Sequence, residues 1–283
     1  MGRVTTRRRV TRIVDGTAAE PVDTLAAEEP LEIRVNGRSL VVTMRTPGDD
    51  FDLAAGFLVS EGVIDRAGQI AGIRYCLGAT ADGVNTYNVV DVALAAGVRP
   101  PDPSLERNFY TTSSCGLCGK ASLDAVRTVA SWSVHDDPIR LDPAVIAALP
   151  GTLRTAQRVF DRTGGLHAAG LFSADGRLLC LREDVGRHNA VDKAVGWALR
   201  DGRLPLRDTI LMVSGRASFE LVQKAVMAGI PALAAVSAPS SLAADLADDA
   251  GLTLIGFLRG TSMNVYTGAH RVLRHTGLTE TPA

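Results

Sequence analysis

The chain has 283 residues, enough for one large domain or two modest ones built around a substantial core. Its 30 basic and 31 acidic side chains leave a formal net charge of −1, which excludes a global field that would recruit nucleic acid or a membrane surface. Four cysteines, only two of them close together, exclude a secreted disulfide scaffold and fit a reducing cytoplasm, where a close pair is catalytic or metal-binding.

Residues 1–28 carry Arg3, Arg7, Arg8, Arg9 and Arg12 without apolar periodicity and read as a flexible, solvated basic arm. The alternative is an arm that docks an acidic partner. Asp15 arrives before any apolar stretch long enough for a secretory signal. A smaller β-rich domain follows over residues 29–108. Leu31, Ile33 and Val35 alternate with polar residues, Asn36-Gly37 turns the chain, and Leu40, Val42 and Met44 alternate again, which predicts a hairpin with a type I′ turn. Pro47 and the acids Asp49, Asp50 and Asp52 open a helix through Phe51, Leu53, Phe57 and Leu58 that Gly62 closes. Residues 87–94 read as a strand, and residues 97–108, with three prolines, as a linker.

An α/β domain is expected over residues 109–275, then a flexible tail over 276–283. It opens with Cys115-Gly-Leu-Cys118 ahead of an amphipathic helix near 122–131. Helical turns surround Pro150, Gly164-Gly165 ends the second of them, and a hairpin turns at Ala174-Asp175-Gly176. Apolar strands at 209–213, 232–236 and 252–257 alternate with helices at 189–199, 219–228 and 240–248, the pattern of a mostly parallel sheet covered on both faces. Residues 225–244 lack charge for 20 residues, but Gly229, Pro231, Ser237 and Pro239 break them into a strand and a capped helix rather than a membrane span.

Three groups of residues suit chemistry. Cys115 and Cys118 lie between glycines just before a predicted helix, where unpaired amides favour a thiolate, and Lys120 adds positive charge. A sulfur carrier, a structural zinc site and a dithiol oxidoreductase all use such a pair. Zinc needs four ligands, whereas Cys76 and Cys180 stand alone in strand-like runs, so no structural metal is expected. The second group is the run from Arg182 to Lys193, in which Arg187-His188 beside Gly186 suits an anion, while Asp184 or Asn189 suits capping and Asp192-Lys193 a solvated pair. The third comprises three loops at the carboxyl ends of the predicted strands: Ser214-Gly215-Arg216-Ala217-Ser218, Ser237-Ala238-Pro239-Ser240-Ser241 and Arg259-Gly260-Thr261-Ser262. Such loops at one sheet edge suit a phosphorylated, nucleotide-like ligand. No Walker A or Gly-x-Gly-x-x-Gly pattern supports ATP hydrolysis or NAD binding.

Ser113-Ser-Cys-Gly-Leu-Cys-Gly, Arg182-Glu-Asp-Val-Gly-Arg-His-Asn-Ala-Val-Asp-Lys and Ser214-Gly-Arg-Ala-Ser-Phe-Glu-Leu-Val-Gln-Lys together resemble the FdhD family of formate dehydrogenase accessory sulfurtransferases. Val236-Ser-Ala-Pro-Ser-Ser-Leu-Ala and Val265-Tyr-Thr fit the same pattern, and the resemblance runs from about residue 30 to 272. It implies a cytidine-deaminase-like three-layer fold, a homodimer, and sulfur transfer from a cysteine desulfurase to the molybdenum (or tungsten) bis-guanine-dinucleotide cofactor of formate dehydrogenase. GDP-like nucleotides would mimic that ligand. Cys115 matches the persulfide carrier, Cys118 its partner, and Phe257, Leu258, Arg259, Gly260, Thr261 and Ser262 the cofactor-contacting loop. The chain departs from some relatives there, with Leu258 and Arg259-Gly260-Thr261 in place of a cysteine and a Lys-Pro-Gly-like turn.

The fold relation raises a second class, a zinc-dependent nucleobase deaminase, which requires a glutamate two places after a zinc-binding histidine or cysteine. The residues two places after the five histidines are Asp137, Ala169, Ala190, Val272 and Gly277, so the signature is missing. A cofactor-binding chaperone without sulfur chemistry is the third class, separated from the carrier by the reactivity of Cys115.

Overall fold

Asn36 and Gly37 both adopt positive φ, 50° and 79°, which is the backbone a type I′ turn demands. They join β5 (Glu29–Val35) to β6 (Arg38–Arg45) as the expected hairpin. The computed structural model describes residues 4–76, 86–101 and 130–273. The boundary expected at 108/109, the helix near 122–131 as far as residue 129, and the tail from 276 lie outside the described residues, and residues 130 and 131 are not helical.

The basic arm differs from expectation. Strands β1 (Thr5–Arg9) and β4 (Val22–Ala26) pair antiparallel, and beyond them β2 (Arg12–Val14) pairs with β3 (Thr17–Ala19) around Asp15-Gly16, again at positive φ. Arg7, Arg8, Arg9 and Arg12 stay solvated, but a two-tiered ribbon carries them. Its signal was the Asp-Gly dipeptide, which favours the same turn as Asn-Gly.

Strands β5 and β6 belong to a four-stranded sheet ordered β6-β5-β8-β7, with β7 at Ile70–Tyr75 and β8 at Val89–Leu94. The inward side chains Leu31, Ile33, Val35, Val90 and Val92 pack on α1 (Asp50–Ser60) through Leu53, Ala54 and Leu58. Arg45 fixes the corner. Its fully buried guanidinium donates to both oxygens of Asp50 at 3.0 Å, and to Asn88 and the Tyr87 carbonyl.

The second sheet has six strands ordered β10-β9-β11-β12-β13-β14: Leu178–Asp184, His167–Ser173, Thr209–Val213, Ala232–Ala235, Thr253–Arg259 and Ser262–Thr267. The expected strands β11, β12 and β13 are parallel, but the other three pairings are antiparallel, so the sheet is mixed rather than mostly parallel. Two hairpins cause this. The one turning at Gly176 adds β9 and β10 beside β11, and the one turning at Gly260 adds β14. Both faces are covered. Leu171, Leu211, Val213, Leu233 and Leu254 face α4 (Arg187–Arg200), α5 (Phe219–Met227) and α6 (Ser241–Ala250). On the opposite face Phe172, Ile210, Met212 and Ile255 meet Ile146, Leu149 and Leu153 of α2 (Pro143–Ala156). Helix α2 runs unbroken through Pro150, and the shorter α3 (Arg158–Thr163) ends at Gly164 with φ 66°.

Helices α1 and α4 join the two halves of the molecule by crossing at two glycines. A Cβ on Gly56 would stand 1.8 Å from the Asp192 carbonyl oxygen, and one on Gly196 1.8 Å from the Asp52 carbonyl oxygen. Only residues without side chains let two backbones come so near. Leu31 and Leu254 accordingly belong to one continuous apolar core. No described helix is long and apolar enough to cross a membrane, and the uncharged stretch 225–244 divides into the end of α5, strand β12 and the start of α6.

Candidate functional site

Strands β10, β11, β12 and β13 all point one way, because β10 and β11 each run antiparallel to β9. Their carboxyl ends therefore share one edge of the sheet, together with the first residue of β9. The three loops singled out in the sequence meet there, and so does the turn into α4 that carries Arg187 and His188.

The first two loops are fastened to each other. Ala217 and Pro239 form an isolated parallel bridge, and the Ser240 amide donates to the Ala217 carbonyl at 3.0 Å. Ser240 caps α6, its hydroxyl accepting from the Ala243 amide. Ser214 is fixed to β9 by two bonds, its amide to the Ala168 carbonyl (3.0 Å) and the Ala168 amide to its hydroxyl (2.9 Å). Arg216 is exposed. The Phe257 amide donates to the Ser237 carbonyl, and Gly256 passes so close to Pro239 that a Cβ would stand 2.9 Å from its ring.

The third loop is a tight hairpin. Arg259 pairs with Ser262, Gly260 and Thr261 make the turn, and Phe257 at φ 52° marks an irregularity that turns its ring outward. Arg259, Gly260, Thr261 and Ser262 are exposed at the rim. Leu258 is not: its side chain lies in the second apolar cluster, so it serves the core.

The run from Arg182 to Lys193 divides sharply. Arg182 donates to Asp52 at 2.8 Å, and Glu183 accepts from the Val159 and Phe160 amides that begin α3. Asp184 accepts from the Thr46 and Gly186 amides and pairs with Lys193 at 2.7 Å, while Asn189 donates to the Met44 carbonyl. The expected solvated pair Asp192-Lys193 is buried instead, because each finds a distant partner. Asp192 takes both Lys224 (2.8 Å) and the Ser60 hydroxyl (2.6 Å), and Lys193 also donates to the Thr46 carbonyl. These six residues bind elements to one another. Arg187 and His188 are left for the edge.

His188 Nε2 stands 2.9 Å from a Glu220 oxygen and 3.3 Å from the Ser218 hydroxyl, so the first turn of α5 and the loop before it hold its ring. That hydrogen bond, above all, holds the Glu220 carboxyl below its ordinary range. His167, the first residue of β9, is half-buried at the same corner. Desolvation, then the charges of Arg187 and His188, push its proton off more readily than usual. Sequence reading passed over both residues. Glu220 lay inside a quoted motif without a role, and His167 reaches the edge only because β9 runs antiparallel to its neighbours.

Cys115, Cys118 and Lys120 lie outside the described residues. Of the other cysteines, Cys180 is buried in β10, where burial pushes its thiol up to about 12, so it stays protonated and unreactive near neutral pH. Cys76 follows β7 and is bonded to β8 through its amide.

Compared with known proteins, residues 26–273 match the FdhD/NarQ family. The chain belongs to that family. The FdhD/NarQ match begins where the ribbon ends, and it takes in both sheets and all four edge loops. A sulfur carrier protein FdhD from Streptomyces avermitilis is 70% identical over 273 residues, covering 96% of this chain and 97% of the relative. One from Mycobacterium tuberculosis is 58% identical over 275 residues, covering 96% and 100%. The crystal structure of a protein from Desulfotalea psychrophila, assigned as a formate dehydrogenase accessory protein, superposes with a TM-score of 0.74 at 25% identity, covering 96% of this chain and all of that one.

Proposed function

We propose that this FdhD/NarQ protein is a sulfur carrier that receives sulfur on Cys115 from a cysteine desulfurase and delivers it to the molybdenum or tungsten bis-guanine-dinucleotide cofactor before that cofactor enters formate dehydrogenase. The observation that carries the reading is the family match across 248 residues, from 26 to 273, with relatives named sulfur carrier proteins. The Cys115-Gly-Leu-Cys118 pair in the sequence supplies the thiols.

The chemistry balances with these two cysteines. The Cys115 thiolate attacks the terminal sulfur of the desulfurase persulfide; that S–S bond breaks, and its electron pair leaves on the desulfurase cysteine. Cys115 then holds the sulfur as a persulfide at an unchanged oxidation level. For delivery, the Cys118 thiolate attacks the Cys115 sulfur and closes a disulfide, and the terminal sulfur departs with the bonding pair as hydrosulfide, a ligand for the metal. The two cysteines are oxidised, the delivered sulfur is reduced by two electrons, and a dithiol reductant resets the pair. Reducing cytoplasm suits this cycle, and we place the protein there as a homodimer.

The shared sheet edge supports the other half of the reading, that of a guanine-dinucleotide site. Arg187, Arg216 and Arg259 stand around it with the hydroxyls of Ser214, Ser237 and Ser262, and α4, α5 and α6 all begin there, helix starts whose free amides suit an anion. The deciding measurement is intact mass after incubation with a cysteine desulfurase and cysteine. A gain of about 32 Da per sulfur, absent in Cys115→Ser, is expected. Uptake retained by Cys115→Ser and lost by Cys118→Ser would reverse the two roles, and no uptake on either cysteine would leave a chaperone without sulfur chemistry.

A further inference from the structure

Arg187 and His167 meet at the corner between β9, β10 and the start of α4, and both have donors to offer. The Arg187 Nε is buried with no hydrogen-bond partner, and its guanidinium enters no ion pair among the described residues. The ring of His167 makes no hydrogen bond among the described residues either. Its position is nonetheless fixed. His167 pairs with Asp184 across the sheet, the next residue is bonded twice to Ser214, and a Cβ on Gly215 would lie 3.4 Å from its Nδ1, so the ring lies along the Ser214-Gly215 turn.

We infer that His167 is a proton-accepting subsite for the ligand's diphosphate, completed by Arg187 and His188, so that binding the anion draws one proton from solution onto the His167 imidazole. The inference rests on the reading that this edge holds a guanine dinucleotide, and it adds a residue and a proton to that reading.

The charges around the imidazole decide the direction. From α4 come Arg187 and His188, both of which oppose a proton on His167. From β10 comes Asp184, which favours one, but its carboxylate already pairs with Lys193 and accepts from Thr46, Gly186 and Asn189. The turn after β11 places neutral Ser214 and Gly215 beside the ring, with Arg216 exposed farther along. On α5, Glu220 is engaged by His188. The unliganded corner therefore keeps His167 neutral at neutral pH. A diphosphate among Arg187, His188 and His167 cancels the charges that repel the proton, adds a strong acceptor and stabilises the imidazolium. Between the free and bound titrations, one proton taken up makes binding about tenfold tighter for each pH unit of fall.

The test uses the full-length protein and a guanosine diphosphate sugar, whose esterified phosphates do not titrate near neutral pH. Calorimetry at pH 7 in two non-phosphate buffers of different ionisation enthalpy counts the protons, and an imidazole NMR titration follows His167 in the unmodified chain. The expected result is net proton uptake and a Kd falling up to about tenfold per pH unit from 7.5 toward 6. In His167→Gln both effects disappear while binding persists, and in Arg187→Gln uptake shrinks because the free protein already holds more of that proton. Binding without uptake, uptake unchanged in His167→Gln, or a His167 resonance whose titration ignores the ligand would each overturn the inference and leave the nucleotide site standing. No binding by any form of the protein would overturn both.

Discussion

Replacing Gly196 by alanine adds one methyl group where α4 crosses α1, and the structure sets what it costs. The new Cβ would stand 1.8 Å from the Asp52 carbonyl oxygen and 2.7 Å from the Gly56 amide nitrogen. Neither is a flexible side chain, so the backbones must part by about 1.7 Å to restore an ordinary contact near 3.5 Å. A gap of that size gives up much of the dispersion attraction along the crossing. Overpacking of this kind costs about 3 kcal/mol, the upper part of its usual range, and the better helix propensity of alanine returns about 1. The net loss of about 2 kcal/mol lowers Tm by about 5 °C in a chain of this size. Gly151 in α2 supplies the control: a Cβ there meets nothing within 4 Å, so Gly151→Ala should gain up to about 1 kcal/mol and raise Tm by about 2 °C. Thermal unfolding followed by circular dichroism compares the two. A Gly196→Ala melting point equal to or above that of Gly151→Ala would refute the close crossing.

Lys224→Met strands the Asp192 carboxylate, buried and still held by Ser60, and should cost about 3 kcal/mol in denaturant unfolding; adding Asp192→Leu should recover part of the loss. Glu220 titrates below its ordinary range in the folded protein, so its contribution is present above the unfolded pKa and is lost as pH falls through the folded one. The fall of Tm between about pH 5 and pH 3 should accordingly be shallower in Glu220→Gln than in the parent. Guanine nucleotides should raise the melting temperature, less so in Arg259→Glu, where an anion meets a phosphate at the rim, and undiminished in Cys115→Ser. Equal stabilisation of both variants would move the ligand away from the β13–β14 hairpin.

Local signals read well from the sequence. Asn36-Gly37, the cap at Ser240 and the apolar strands expected at 209–213 and 232–236 are decided by residues within a few positions, and each formed, the second strand ending at Ala235. Long-range pairing did not read. Nothing near β9 says that it inserts antiparallel beside β11, and that insertion is what brings His167 to the edge. The charged run 182–193 looked like one site because its charges are adjacent. Six of its members are instead used by partners far along the chain, among them Asp52 for Arg182, Thr46 for Asp184 and Lys224 for Asp192. The ribbon failed differently. Its Asp15-Gly16 turn was legible, but the arginine-rich composition suggested a solvated arm.

The α1–α4 crossing also sets an order of events during synthesis. The four-stranded sheet and α1 are complete once β8 has emerged, yet the surface that buries α1 belongs to a helix beginning at Arg187, roughly 90 residues later. At ribosomal speeds that is a wait of roughly 5–20 s, during which the face of α1 around Gly56 lacks its α4 partner. The first half of this protein therefore leaves the ribosome before its α1 surface can be covered, and its refolding depends on contacts between distant parts of the chain, which slows it.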